Sequence, residues 1–94
     1  MIIGICTCEI FIYEANSLKS KRSVVKSIIE KSKNRFNISI AEVGENDKWQ
    51  RSLIGFSTVS NDKKVVDEAI ERVIQFFNTY SEIEIMNNIE KEIL

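Results

Sequence analysis

Residues 62–80 place apolar side chains on one half of a helical turn and polar side chains on the other half. With a rotation of about 100° per residue, this separation fits an α-helix. The preceding Ser60-Asn61-Asp62 supplies side chains that cap helices. A helix with one broad apolar face must pack on another surface, so the segment predicts a helix that lies on a sheet. Its apolar half consists of Val65, Val66, Ala69, Ile70, Val73, Ile74, Phe76, Phe77 and Tyr80.

The remaining segments predict that sheet and a second helix. Apolar side chains alternate over residues 2–13, which indicates a long first strand. A helix runs from the cap residue Ser17 to about Asn34, strands follow over 36–43 and 51–59, and residues 83–94 form a last strand or a frayed tail. This order predicts an α+β, ferredoxin-like βαββαβ fold, with a four-stranded antiparallel sheet, two helices on one face and the first strand in the centre. One face of the first strand consists of Ile2, Cys6, Cys8, Ile10 and Ile12.

A chain of 94 residues without proline, a Gly/Ser linker or an internal repeat predicts a single domain over residues 1–94. The second face of the first strand also carries apolar side chains, at Ile3, Ile5 and Phe11. In the predicted fold no helix covers that face, and exposed apolar patches are costly in water. We therefore expect a homodimer that forms through this face or through a sheet edge.

The composition argues against most enzyme classes. Histidine is absent, which removes His-based triads, His general acid–base catalysis and His metal ligands. Cys6 and Cys8 supply only two thiols for a tetrahedral metal site, and we interpret them as core side chains. The three glycines are too scattered to form a phosphate-binding loop. We expect no catalytic residue, no metal ligand and no cofactor, and a protein that is not an enzyme.

The N-terminal residues do not resemble a targeting signal, because they lack a basic region and Glu9 interrupts the apolar run. No segment reaches the roughly 20 apolar residues of a membrane-spanning helix. Cysteines separated by one residue along a strand rarely have disulfide geometry, so reduced thiols are expected. These features predict a cytoplasmic protein with no membrane partner.

Basic residues are concentrated in one segment. Residues 17–35 carry a net charge of +6 in a chain whose total is −1. Lys19, Arg22, Lys26 and Lys33 fall within an arc of roughly 80° on a helical projection. Such a basic stripe is suited to phosphates, and we expect weak binding to RNA or the ribosome by shape, with no sequence-specific recognition of DNA. The alternatives are a solvated helix face or a patch that meets the acidic helix of another subunit.

Trp49 and Arg51 form a second candidate binding feature. The only tryptophan follows a polar turn and is adjacent to an amide and a guanidinium group. Indole and guanidinium groups both stack on nucleic-acid bases, so Trp49 and Arg51 join the candidate nucleic-acid-binding residues. The alternative is structural: Trp49 closes one end of the core or a dimer interface, and Arg51 contacts an acidic neighbour.

Three blocks of sequence carry a family resemblance: EANSLKSKRSVV at 14–25, FNISIAEVGENDKWQR at 36–51 and GFSTVSND at 55–62. Together they resemble the YlxP-like family of small bacterial proteins of unknown function, over nearly the whole chain. Cys6 and Cys8 depart from the family, in which aliphatic residues are commoner there. The resemblance implies a ferredoxin-like fold and a cytoplasmic location. Because the family's genes often lie among genes for translation and ribosome maturation, it also implies a link to RNA, and it brings no catalytic residues.

The sequence thus predicts a non-enzymatic, homodimeric module that associates with RNA or the ribosome through a basic helix. The alternative is a homodimeric protein-interaction or small-ligand regulatory domain, since ferredoxin-like sheets often pair with ligands at the seam. An enzyme is the third alternative. RNA binding would depend steeply on salt, whereas a neutral ligand would bind without that dependence and raise the melting temperature.

Overall fold

The computed structural model describes residues 1–94 and shows the predicted order of elements. The four strands form one sheet in the order β2-β3-β1-β4, and every neighbouring pair is antiparallel. Both helices pack against the same core on one face of this sheet. The predicted α+β, ferredoxin-like βαββαβ fold is confirmed. The elements are β1 (Ile2–Ile12), α1 (Leu18–Arg35), β2 (Ser39–Gly44), β3 (Arg51–Ser60), α2 (Lys63–Phe77) and β4 (Ile83–Ile93).

The C-terminal segment forms a full strand rather than a frayed tail. β4 pairs with β1 from Ile12↔Ile83 to Gly4↔Ile93. The register shifts between Cys8 and Ile10, so an irregularity interrupts the pairing of β4 with β1. β1 therefore lies between β3 and β4, which is the central position predicted for it.

Two predicted element boundaries are wrong, and local capping explains both. The second strand begins at Ser39 rather than at residue 36, because Phe36 is the C-cap of α1, with an extended backbone at φ −126° and ψ 149°. The second helix ends at Phe77 rather than at residue 80, because the N–H groups of Thr79 and Tyr80 donate to the carbonyl oxygens of Phe76 and Phe77, three residues back instead of four. Apolar periodicity alone does not locate such caps.

The core lies between the sheet and the two helices. α2 buries Val66, Ile70, Val73 and Phe77, as its apolar arc predicts. Gly4 allows this helix to approach β1 closely, since a Cβ atom there would overlap Val66 Cγ1 and lie 2.9 Å from Ile70 Cδ1. The strands contribute the predicted face of β1 and alternate residues of β3, so the buried set includes Cys6, Cys8, Ile10, Ile12, Ser52, Ile54 and Phe56.

The opposite face of the sheet is not covered by any element of the chain. Its side chains alternate along the strands with those of the core, and it retains several aliphatic residues. Ile5 is 38% exposed, Val43 54% and Val59 53%. We call this surface the open face. Neither helix is long and apolar enough to span a membrane.

Candidate nucleic-acid interface

The four cations of the predicted basic stripe, Lys19, Arg22, Lys26 and Lys33, all lie on the exposed side of α1. Lys19, Arg22 and Lys33 form no ion pair. Lys26 Nζ lies 4.0 Å from Glu30 Oε1, and both side chains are largely exposed. Exposed pairs of this kind are weak. The stripe therefore presents cations whose charge the chain itself hardly neutralises.

Helix α1 begins with a cation where an acid would be favourable. Its first turn contains no acidic residue and includes Lys19, close to the positive end of the helix dipole. A cation at that end is unfavourable, by about 0.3–1 kcal/mol when it is exposed. Lys33, in the last turn, is placed favourably by the same argument. The helix dipole therefore does not favour Lys19.

Lys21 is not part of this cationic surface, although the +6 charge predicted for residues 17–35 included it. Its side chain is 0% exposed, and its Nζ lies 2.9 Å from Glu42 Oε2. The rotation of about 100° per residue places Lys21 on the helix side of Val25 and Ile28, which are both buried. The helical projection therefore contained a signal for its burial. The exposed side of α1 carries correspondingly less charge than the sequence count suggests.

The buried ammonium group of Lys21 connects the start of α1 to the end of β2. Lys21 Nζ also donates to the Glu45 carbonyl oxygen at 2.6 Å. Glu42 in turn accepts from Ser52 Oγ at 2.5 Å and from Asn46 Nδ2 at 3.2 Å. A buried charge is tolerated only with such partners, because it has lost its hydration. The network holds the turn between β2 and β3 beside the N-terminal end of α1.

Trp49 lies in that turn and is 54% exposed, so it does not close the core. Glu45 starts the turn with a left-handed backbone conformation, at φ 58°, and its carboxylate accepts from Lys48 Nζ at 3.0 Å. Gln50 ends it by donating from Nε2 to the Tyr13 carbonyl oxygen at 3.1 Å. The turn is therefore anchored at both ends, while Trp49 itself is exposed to solvent.

Arg51 lies on the open face of the sheet and not with the basic stripe. Its Nη1 is 3.6 Å from Glu9 Oε1 and 3.3 Å from Met86 Sδ. The contact with Glu9 matches the structural alternative considered for Arg51, an acidic neighbour. The structure therefore brings Trp49 close to the beginning of α1 and places Arg51 on the other side of the sheet.

A pair of carboxyl groups adjoins Arg51. A hydrogen bond with Glu45 raises the pKa of Glu9, and the same bond lowers the pKa of Glu45. The neighbouring Glu45 carboxyl group thus favours the protonated form of Glu9, because two ionised carboxylates repel each other. The pair couples β1 to the start of the Trp49 turn. Arg51 and Lys48 supply the neighbouring positive charges.

Cys6 and Cys8 lie in the core, at 2% and 0% exposure, with their Sγ atoms 3.9 Å apart. Hydrogen bonding with Cys6 and burial together raise the pKa of the Cys8 thiol. A buried, protonated thiol is a poor nucleophile. No group of three or more Cys, Asp or Glu side chains is arranged to hold a metal ion.

Comparisons with known proteins place this fold in a family context. A family model described as "Protein of unknown function (DUF503)" matches residues 3–89. The "Uncharacterized protein YlxP" of Bacillus subtilis (strain 168) is 42% identical over 83 residues, which covers 88% of this chain and 90% of that protein. Both findings support the YlxP-like resemblance that the three sequence blocks carry.

Proposed function

The chain belongs to the DUF503 family of proteins of unknown function, and we propose that it is a non-enzymatic cytoplasmic module that binds RNA through the basic stripe of α1. One observation carries the proposal: Lys19, Arg22 and Lys33 are exposed on the same side of one helix and have no acidic partner. RNA is favoured over DNA by the translation-related gene neighbourhood that the family resemblance implies.

The dimensions of the stripe limit what it can contact. With a rise of about 1.5 Å per residue, the helix carries Lys19 and Lys33 about 21 Å apart along its axis. A surface of this length can neutralise roughly three or four phosphates, which supports weak binding by backbone contacts rather than base readout. We expect the logarithm of the RNA affinity to fall with the logarithm of salt concentration with a slope of about −2 to −4.

Trp49, in the turn held by Lys21 at the N-terminal end of α1, is a second candidate contact for RNA. The indole ring is more than half exposed although tryptophan is the side chain that loses most from contact with water. A base that is not paired can stack on such a ring. Trp49 therefore adds a candidate stacking contact in the turn that Lys21 holds beside the start of α1.

A matched pair of charge reversals tests the proposal. The test variant is Lys19→Glu/Arg22→Glu, and the control is Lys63→Glu/Lys64→Glu. Both variants change the net charge equally and both act at the N-terminal end of a helix, since Lys63 and Lys64 are exposed and begin α2. Acids at these ends are favoured by the helix dipole, so neither variant should melt below the parent.

RNA binding should be measured by fluorescence anisotropy at several salt concentrations. The α1 variant should lose most of its affinity and show a shallower salt dependence, whereas the α2 variant should retain the affinity of the parent apart from a small long-range effect. If the parent does not bind RNA at low salt, or if both variants weaken binding equally, the stripe is an ordinary solvated face and the proposal fails.

A second candidate role is homodimerisation through the open face. The observation that favours it is the aliphatic surface left uncovered on all of the strands except β4, with Ile5 in the middle of the sheet. A copy of the same chain, seated face to face, would remove these side chains from water. This role is compatible with RNA binding, because the stripe lies on the helical side of the molecule.

A further inference from the structure

The C-terminal halves of α1 and α2 meet at a cluster of aromatic rings and cations that is separate from the basic stripe. Phe36 and Phe76 pack edge to face with their centroids 5.6 Å apart, and Tyr80 packs edge to face with Phe76 at the same centroid distance. Arg35 Cζ lies 5.1 Å from the centroid of Phe76, and Lys31 Nζ lies 5.7 Å from that of Tyr80. All three rings are partly accessible to solvent.

This cluster faces a different direction from the basic stripe. Lys31 and Arg35 lie on the flank of α1 that faces α2, roughly 160° around the helix axis from the stripe. A shallow groove of about 320 Å³ runs between the helices here. It is lined by Arg35, Phe36, Arg72, Gln75, Phe76 and Thr79. We call this groove, together with Lys31 and Tyr80, the aromatic cradle.

The cations of the aromatic cradle have no acidic partner. Lys31, Arg35 and Arg72 are exposed and take part in no ion pair. Their positive potential adds up at the edge of the exposed rings. A partner must therefore offer a flat apolar surface for the rings and negative charge for the cations. An unpaired nucleotide combines a planar base with a phosphate on each side.

We propose that the aromatic cradle binds an unpaired base of single-stranded RNA. The base stacks on the outer side of the Arg35 guanidinium group, whose Cζ lies 5.1 Å from the centroid of Phe76 and 6.0 Å from that of Phe36. Arg72 and Lys31 contact the flanking phosphates, and the Gln75 amide lies in the same groove within reach of the base edge. This inference rests on the proposed function in one respect, that the protein binds RNA. The residues of the aromatic cradle are distinct from those of the basic stripe.

Substitution of Arg35 separates stacking from charge. Arg35→Lys keeps the positive charge but removes the planar guanidinium group, so it should weaken binding of a short single-stranded RNA at least about fivefold. The salt dependence should remain that of the parent. Arg51→Lys is the matched control, because Arg51 lies on the open face beside Glu9 and outside the aromatic cradle, and it should leave the affinity unchanged. Arg72→Gln should make the salt slope shallower by about 0.7.

Phe76 provides an independent test. Phe76→Leu keeps an apolar side chain but removes the ring beneath Arg35, and Phe76→Tyr restores a ring. We expect the leucine variant to bind single-stranded RNA at least about fivefold more weakly and the tyrosine variant to bind like the parent. Melting temperatures of both variants show whether folding is intact, and the exposed Arg35→Lys variant remains informative if Phe76→Leu is destabilised.

The outcomes distinguish this site from the proposed function. If the parent binds RNA and both Arg35→Lys and Phe76→Leu bind it with the affinity of the parent, the proposal for the aromatic cradle is overturned. The proposal for the basic stripe is then unaffected. If Arg35→Lys weakens single-strand binding and Lys19→Glu/Arg22→Glu does not, the cradle is supported and the stripe is overturned. If the parent binds no RNA at low salt, both are overturned. If the cradle binds a protein and no RNA, the cradle proposal alone is overturned.

Discussion

The two faces of the sheet are built from the same strands but differ in what covers them. On the helical face, β1 contributes side chains such as Cys8 and Ile10 that are almost fully buried. On the open face, the same strand contributes Ile5 and Glu9, which remain in contact with solvent or with other polar groups. Alternation along a strand gives each face a pattern of its own, and only the crossover helices decide which of them becomes the core.

The two faces also differ in how far their charged side chains are removed from solvent. The helical face buries a single lysine, Lys21, and surrounds its ammonium group with acceptors from Glu42 and Glu45. The open face carries a looser set of charges, in which Arg51 lies 3.6 Å from Glu9. Desolvation makes the buried group dependent on its partners, whereas solvent can replace the partners of the exposed one. We therefore expect a change of charge to lower the free energy of unfolding far more on the helical face than on the open face.

The largest effect is expected where an acid enters the helical face. Ile70→Asp should lower the free energy of unfolding by about 3–5 kcal/mol, because Ile70 is fully buried and an aspartate there has no partner. Val59→Asp on the open face, where the side chain is 53% exposed, should cost no more than about 1 kcal/mol. Urea denaturation measures the loss of stability in both variants. Equal losses would contradict the expected difference between the two faces.

A smaller but still large loss is expected on removal of the buried cation. Lys21→Met fills a similar volume but leaves the Glu42 carboxylate without its cation, which should cost about 3 kcal/mol. In the double variant Lys21→Met/Glu42→Gln the uncompensated charge is absent, so part of the stability should return. Thermal unfolding of the single and double variants gives the comparison. Equal stability of the two would show that the charge of Glu42 is not the source of the loss.

The smallest effect on monomer stability is expected at the centre of the open face. Ile5→Lys places a cation opposite Glu92 on the neighbouring strand, so the folded monomer should change by less than about 1 kcal/mol. A face-to-face dimer would have to bury that cation and should dissociate. Light scattering of the parent should give twice the mass of one chain. Light scattering of the Ile5→Lys variant should give the mass of a single chain. A parent that is monomeric at micromolar concentration would argue against an interface on this face.

The fold was predictable from the sequence because each of its elements has a strong local pattern. The apolar arc of α2 predicts the buried residues Val66, Ile70, Val73 and Phe77, and all of them are buried. The alternation of β1 predicts its core face. The boundaries were less predictable, since α1 ends at the extended backbone of Phe36 and α2 at the turn formed by Thr79 and Tyr80, neither of which has a periodic signal.

The candidate interface was only partly predictable. Helical periodicity places Lys19, Arg22, Lys26 and Lys33 on one side, and the structure leaves them exposed. The same periodicity places Lys21 with the buried residues, but the position of its partner Glu42 depends on how α1 crosses β2. The aromatic cradle has no signal in either helix alone. It exists because residues 31–36 and 72–80, far apart in sequence, meet where the helices cross.

Because the thiols of Cys6 and Cys8 are buried in the middle of β1, the rate of their alkylation reports how the folded molecule opens. Both are shielded by the helices and by two neighbouring strands, so an alkylating reagent reaches them only when β1 leaves the sheet or the helices lift from it. At high reagent concentration the labelling rate equals the opening rate, and at low concentration it reports the fraction of open molecules. Because the strand pairs on both sides, this opening involves the whole domain rather than a frayed edge.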